Sequence, residues 1–268
     1  MARTVVFIHD AWLGPGVWHH FAGRFAACGY TWLAPAWPGL EQLDEHGCRP
    51  PDACPGKQPP AGLANLGMDS LLAHYAFLVR TLAEPPLLVG HGVGGLLVQL
   101  LLDRGMGAAG VAIAPTPPSG VLPGWSALRR AWPLWSSWTT WDRPLVITRA
   151  RFDRDMAQTL PTAQRVQAFD AWVLAASGRL LWQTAVGIGC KVDFDNDGRA
   201  ALLLIAGEQD RTVQVSTVAA TFRLHRRSVA VTDMHVYPGR SHLLITEPGW
   251  EAIADACIDW AREQLGGF

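Results

Sequence analysis

Short apolar runs alternate along this chain with longer stretches of helical periodicity. Val5 to Ile8, Leu87 to Val89, Gly110 to Ala114 and Ala201 to Ala206 are apolar or small at consecutive positions rather than at every second one. That is the pattern of strands covered on both faces, as in a parallel sheet. Between them, Met68 to Leu82 places Leu71, Leu72, Tyr75, Leu78, Val79 and Leu82 on one stripe at helical spacing, with Asp69 or Ser70 as the predicted start. Trp250 to Leu265 does the same with Ile253, Ala256, Cys257, Trp260 and Ala261, and predicts a final helix packed on the sheet. The class this predicts is α/β, a mostly parallel central sheet flanked by helices.

Two segments break the alternation. Gln42 to Asn65 is rich in Pro and Gly and reads as a long surface loop. From Pro115 to Cys190 the texture changes to helix-capable sequence carrying Trp125, Trp132, Trp135, Trp138, Trp141, Trp172 and Trp182. This predicts a helical, Trp-rich cap over residues 115–190, inserted into a core formed by residues 1–114 and 191–268. Insertions survive best in loops at the carboxyl ends of strands, where open α/β sheets also form their pockets. Most of these tryptophans are expected to pack the cap, and one or two to line an aromatic pocket.

Composition narrows the partners. The 268 residues carry 22 basic and 23 acidic side chains, a formal net charge of -1. No electrostatic footprint for nucleic acid or an anionic membrane follows from that balance. No apolar run reaches the roughly 18 residues of a membrane span, and the strand near Thr4 follows no charged leader. The five cysteines, Cys28, Cys48, Cys54, Cys190 and Cys257, are odd in number and lack metal-ligand spacing, which suits reduced thiols in a cytoplasm. The expected partner is a small apolar or aromatic molecule. The oligomeric state is left open.

The chemistry concentrates after the strands. Pro86-Leu87-Leu88-Val89-Gly90-His91-Gly92-Val93-Gly94-Gly95 reads as a strand, a glycine-dense turn and a helix start. It has the form of the nucleophile elbow G-x-S-x-G with Gly92 at the serine position. Gly207-Glu208-Gln209-Asp210-Arg211-Thr212-Val213 follows one late strand, and Arg240-Ser241-His242-Leu243 follows the next. Elbow, acid and histidine thus come in that order.

On these motifs the chain resembles the α/β-hydrolase superfamily, closest to its small esterase and lyase-like members, from His9 through the elbow to the last helix. The resemblance implies Asp210 as the acid, His242 as the general base, and the backbone N–H groups of Val93 and Ala11 as the oxyanion pair. Two positions depart from the family pattern: Gly92 stands where the family has Ser, and Asp10 where its His-Gly pair has Gly. Losing the serine of a related triad costs about 10⁶-fold in turnover, so efficient serine-type acyl transfer is excluded. Asp10 either bonds within its own turn or points inward, where it would oppose a developing oxyanion.

With no serine in front of it, His242 oriented by Asp210 is expected to face substrate across an enlarged cleft. A neutral imidazole there supplies about 10² to 10⁴-fold as a general base. Cyclisation, elimination, isomerisation, cofactor-free oxygenation or direct water activation would fit, in a setting such as secondary metabolism. The rival readings are a non-catalytic binding protein and an ordinary esterase inactivated by a Ser-to-Gly change. His9 and His91 are expected to fix loops. No cofactor is expected, since the glycines of the elbow belong to the motif set and no phosphate loop follows. The run Asp193 to Gly198 opens like a calcium loop, but Leu204 stands where the bidentate Glu would be, and a polar turn is expected instead.

Overall fold

A computed structural model describes residues 4–40, 61–122 and 140–266. The central sheet is built from β1 (Thr4–Ile8), β2 (Thr31–Leu33), β3 (Leu87–His91), β4 (Ala109–Ile113), β7 (Ala201–Gly207) and β8 (Thr232–Tyr237), all parallel, in the order β2-β1-β3-β4-β7-β8. The apolar runs make the inner strands for a simple reason. Successive side chains point to opposite faces, and both faces are covered. Val5 and Phe7 enter one core with the helix α1 (His19–Ala27) and the last helix α9 (Trp250–Leu265), while Val6 and Ile8 enter the other. That second core is completed by α3 (Met68–Thr81), α4 (Val93–Asp103) and α8 (Val215–His225). Nine α-helices lie among the described residues.

The strand order places the site. The chain leaves β1 for β2 on one side and then crosses to β3 on the other, so the connections diverge between β1 and β3. Open α/β sheets bind ligands outside the carboxyl ends of strands at such a point. The β1–β3 register pairs Ile8 with Gly90. Two residues further along, Asp10 therefore stands beside Gly92.

The segment between β4 and β7 contains β5 (Pro144–Leu145), α5 (Arg149–Asp155), α6 (Thr162–Trp172), β6 (Ala176–Ser177) and α7 (Gly178–Val186), with β5 and β6 paired antiparallel. Thr148 and Ser177 cap α5 and α7 through their hydroxyls. Trp141 and Trp182 meet edge-on, Trp182 Nε1 donates to Thr140 Oγ1 at 2.9 Å, and Trp172 packs on the first core. Trp125, Trp132, Trp135 and Trp138, and the pair Cys48 and Cys54, lie outside the described residues, as does most of the predicted loop.

Several boundaries move. The end of the predicted loop is helical, α2 (Ala61–Ala64). Helix α3 begins one turn-position earlier than Asp69 or Ser70 suggested, because the Met68 N–H is satisfied by Gln183 Oε1 at 2.7 Å from α7, with Gly67 as N-cap. In α9 Ile253, Cys257, Trp260 and Ala261 are buried as expected, and Ala254 and Ile258 join them in place of Ala256. The acidic run after Cys190 forms the expected polar turn: Asp193 Oδ1 accepts from Asp195 N–H, Asn196 Oδ1 from Gly198 N–H, and Asp197 Oδ1 from Val229 N–H.

The elbow is held by contact rather than by apolar burial alone. A Cβ on Gly90 would overlap the Gly94 carbonyl, and one on Gly94 would overlap the carbonyl of Ile8. Helix α4 therefore approaches β1 as closely as backbone permits. A Gly94→Ala change should destabilise the fold by about 3 kcal/mol or more, since neither backbone can yield. Denaturant titration checks this, with Gly105→Ala, which meets open space but has positive φ, as the milder control.

Candidate functional site

Gly92 is the N-cap of α4, at φ 56° and ψ -117°, a conformation that L side chains rarely adopt. Its N–H donates to Ile113 at 3.0 Å and its carbonyl accepts from Thr116 at 2.9 Å, so the turn is fixed from β4. The volume expected to be free at Gly92 is filled. A Cβ built there would overlap the Asp10 carboxylate.

Asp10 thus points inward and takes the space expected to stand open in front of His242. Its Oδ1 accepts from the Val93 N–H at 2.7 Å, at the first residue of α4, where the unpaired N–H groups and the helix dipole favour an anion. Val93 is the residue expected to serve an oxyanion, and its N–H is taken by this carboxylate. Ala11 follows directly and is buried in the second core.

Across from Asp10 stands His242, fully buried, with Nε2 at 3.5 Å from Asp10 Oδ2, the outer limit of a hydrogen bond. Its Nδ1 donates to Asp210 Oδ2 at 2.7 Å. Asp210 is held in turn by the N–H groups of Thr212 at 2.6 Å and Val213 at 2.8 Å, both on Oδ1. The acid and histidine expected to pair are therefore in contact. The imidazole lies between two buried carboxylates.

That arrangement decides its charge. Burial alone would push His242 down, but the charge of Asp210, the bonds to Asp10 and Asp210 and the charge of Asp10 outweigh it and raise the pKa to about 10. Burial would raise Asp10, yet the His242 bond and charge, with help from His91 and the Val93 N–H, hold it at about 2. The two shifts favour the ionised form of both Asp10 and His242. The two carboxylates thus favour the protonated form of the His242 ring over the neutral one expected of a resting base.

The two flanking histidines fix loops, as expected of them. His9 Nδ1 donates to the Asp10 carbonyl at 3.0 Å and its ring stacks on Trp37, while His91 Nε2 donates to the His242 carbonyl at 2.8 Å. Burial lowers both to about 4 and keeps them neutral. Among the described residues, Asp10, His91 and His242 could bring ligand atoms within 4.8 Å of one another.

A sequence profile of the Alpha/beta hydrolase family matches residues 5–256. The chain belongs to that family. The α/β-hydrolase fold is shared with solved structures at low identity. Tomato methylketone synthase I complexed with 2-tridecanone is 13% identical with a TM-score of 0.70, covering 98% of this chain and 99% of that one. The methylesterase MES16 from Arabidopsis is 12% identical with a TM-score of 0.65, covering 96% and 99%. A monoacylglycerol lipase from Paleococcus ferrophilus is 18% identical with a TM-score of 0.67, covering 97% and 95%. No curated protein matches the sequence. Among the described residues of this α/β hydrolase, no helix is long and apolar enough to cross a membrane.

The buried histidines set a pH optimum for stability. His242, raised from about 6.5 to about 10, contributes fully below pH 6.5 and loses its contribution as pH rises through 10. His9 and His91, lowered to about 4, and His225, lowered to about 3 chiefly by burial, act the other way and destabilise the fold as pH falls below 6.5. The melting temperature should peak near pH 6.5, and His242→Gln should flatten the alkaline limb. A wild-type melting temperature that is level from pH 6.5 to 10 would refute the charged state assigned to His242.

Proposed function

We propose that this α/β-hydrolase-fold protein is an enzyme in which Asp10 has taken over the place of the elbow serine, Gly92 having replaced that serine to make room. The observation that carries the reading is the position of the Asp10 carboxylate. It occupies the space of a residue-92 side chain, with one oxygen on the Val93 N–H and the other facing His242. A carboxylate so held is a nucleophile with a proton donor beside it.

The chemistry follows from what the carboxylate blocks. With the Val93 N–H taken, an incoming carbonyl oxygen has no such donor to develop charge against, so acyl transfer through an external oxyanion is disfavoured. Displacement at saturated carbon needs no oxyanion hole. The substrate class that suits the site is a small apolar or aromatic molecule whose leaving oxygen must be protonated, such as a strained cyclic ether.

In the first step Asp10 Oδ2 forms a bond to the carbon, the carbon–oxygen bond of the ring breaks, and His242 Nε2 gives its proton to the departing oxygen. Asp10 is now an uncharged ester. His242 has lost its proton and one of the two anions that held it, and becomes a neutral base oriented by Asp210. A water that it deprotonates adds to the Asp10 carboxyl carbon, and the ester's Oδ1, now a carbonyl oxygen, develops its charge on the Val93 N–H. Collapse releases the alcohol and restores carboxylate and imidazolium. The sum is addition of water to the substrate.

His242 keeps the general-base role expected of a His-Asp dyad, in the second half of the cycle. We read the segment 115–190 as the cap over this site, a reading supported by the bonds that its described residues Arg154, Asp155, Met156, Trp172 and Leu174 make to the loops that carry the site.

An aryl-substituted epoxide is the probe. Incubated with it and quenched in acid during turnover, the wild type should carry an adduct on the peptide containing Asp10, seen by mass spectrometry; His242→Gln, lacking both the proton donor of the first step and the base of the second, and Asp10→Asn should each lose about 10³-fold or more in turnover, Asp10→Asn with no adduct. Turnover retained by Asp10→Asn overturns the reading. Loss of turnover in Asp10→Asn with no adduct on the wild type would assign the pair to proton transfer, in cyclisation, elimination or isomerisation. Binding without conversion would make the protein a receptor.

The pairing of Asp10 with Gly92 speaks against a serine simply lost from an ordinary esterase, because a Cβ at 92 would meet the Asp10 carboxylate where it now stands. Gly92→Ser alone should be less stable and inert toward p-nitrophenyl acetate. Gly92→Ser with Asp10→Gly should gain at least about 10²-fold, having a serine before His242 and a free Val93 N–H. Efficient hydrolysis by the single variant would sink the pairing.

A further inference from the structure

Three loops carry the site, and one stretch of the segment between β4 and β7 is bonded to each of them. The Asp10 loop is tied by Gly14 N–H to the Trp172 carbonyl at 2.9 Å and by Leu174 N–H to the Trp12 carbonyl at 3.0 Å, with Leu13 and Val173 bridged antiparallel. The Asp210 loop is tied by Thr212 Oγ1 to the Asp155 carbonyl and by Arg211 to the Arg154 carbonyl, both at 3.1 Å. The His242 loop is tied by Leu243 N–H to the Met156 carbonyl at 3.3 Å.

The His242 loop has a second tie, and it runs through a buried carboxylate that the mechanism does not use. Glu247 is 2% exposed. Its Oε1 and Oε2 accept from the Ser241 N–H at 3.1 and 3.3 Å, and its Oε1 also contacts the hydroxyls of Ser241 and Thr159. The Ser241 hydroxyl lies at the same time 2.8 Å from the Met156 carbonyl, and Arg240 Nη1 stands 3.9 Å from Oε2. Ser241 immediately precedes His242. Thr159 belongs to the turn between α5 and α6.

We propose that Glu247 is a positioning residue for His242, fastening the histidine loop to the segment between β4 and β7 so that this segment sets the distance between His242 and its two carboxylates. The physical argument is one of leverage. A buried carboxylate accepting several donors is costly to move, because any donor withdrawn leaves buried polar groups unpaired. The backbone of Ser241 is therefore pinned, and the imidazole one residue on inherits its place. The contact left long is His242 to Asp10, at 3.5 Å, against 2.7 Å to Asp210. A shift of a few tenths of an ångström in the Thr159 turn, carried through Glu247 and Ser241, would turn that marginal contact into a full hydrogen bond. Substrate seated against the segment would thus tighten the pair that acts on it.

The inference deepens the proposed site but does not require Asp10 to be a nucleophile, so it is tested without turnover. The readout is the low-field proton NMR signal of His242 Nδ1–H and the pH at which that ring titrates, assigned by its loss in His242→Gln. In Glu247→Gln the amide NH₂ or the carbonyl must face groups that now meet a carboxylate. The signal should broaden and the midpoint fall by about one pH unit or more toward the ordinary histidine value. Thr159→Val, which removes a single contact from the segment's side, should shift both in the same direction by less. A loss of packing alone would lower the melting temperature without moving the midpoint. Folded Glu247→Gln with an unchanged signal and midpoint overturns the proposal. Should Glu247→Gln fail to fold, an unchanged midpoint in Thr159→Val overturns it equally. Asp10→Asn separates the two ideas, since failure of the nucleophile reading there leaves the effect of Glu247 on the His242–Asp210 contact untouched.

Discussion

The site depends on two adjacent parallel strands being held in one register. Ile8 of β1 lies opposite Gly90 of β3, and the glycines at 90 and 94 let α4 sit against the ends of both strands with no side chain between. Continued two residues beyond the pair, that register brings Asp10 to the start of α4. A slip of one residue would point the carboxylate to the other face of the sheet. Close backbone packing is thus what converts a residue in the β1 loop into the occupant of the elbow.

Once there, the carboxylate governs the electrostatics of everything around it. A buried unpaired anion is costly, and each of the three charges is buried: Asp10 and Asp210 at 5% and His242 at 0% exposure. They persist because each is satisfied, Asp10 by a helix N-terminus and the imidazolium, Asp210 by two backbone N–H groups and the imidazolium. A hydroxyl in place of Asp10 would leave His242 with one carboxylate. Asp210 and Asp10 together raise the histidine, Asp210 by the larger charge effect and Asp10 by adding to it. In the proposed reaction, esterification of Asp10 would remove that charge when a base is required, and a single covalent event would reset the protonation of its neighbour.

Much of this was legible in the chain. Consecutive apolar positions mark β1, β3, β4 and β7 because both sheet faces are covered, and the order of elbow, acid and histidine marks the Asp210–His242 contact. β2 escaped, since Thr31, Trp32 and Leu33 are an exposed edge with no apolar run. The occupant of Gly92 escaped for a different reason. It belongs to a residue 82 positions earlier, and only the strand order makes the two neighbours. The start of α3 was missed because its cap comes from Gln183, far along the chain, where local capping rules do not reach. What local chemistry decides was readable; what a distant side chain decides was not.

Gly92 and Asp10 are best understood as one change rather than two. Asp10 beside a serine at 92 would force two side chains into one volume. Gly92 beside a glycine at 10 would leave the Val93 N–H and His242 Nε2 facing nothing, a buried polar hole with a histidine held by only one anion. Together the two residues close the elbow, satisfy the first N–H of α4 and charge the imidazole. Neither does so alone. The same steric argument that requires a glycine at 92 therefore explains why a carboxylate at 10 can be tolerated in the buried heart of a hydrolase fold.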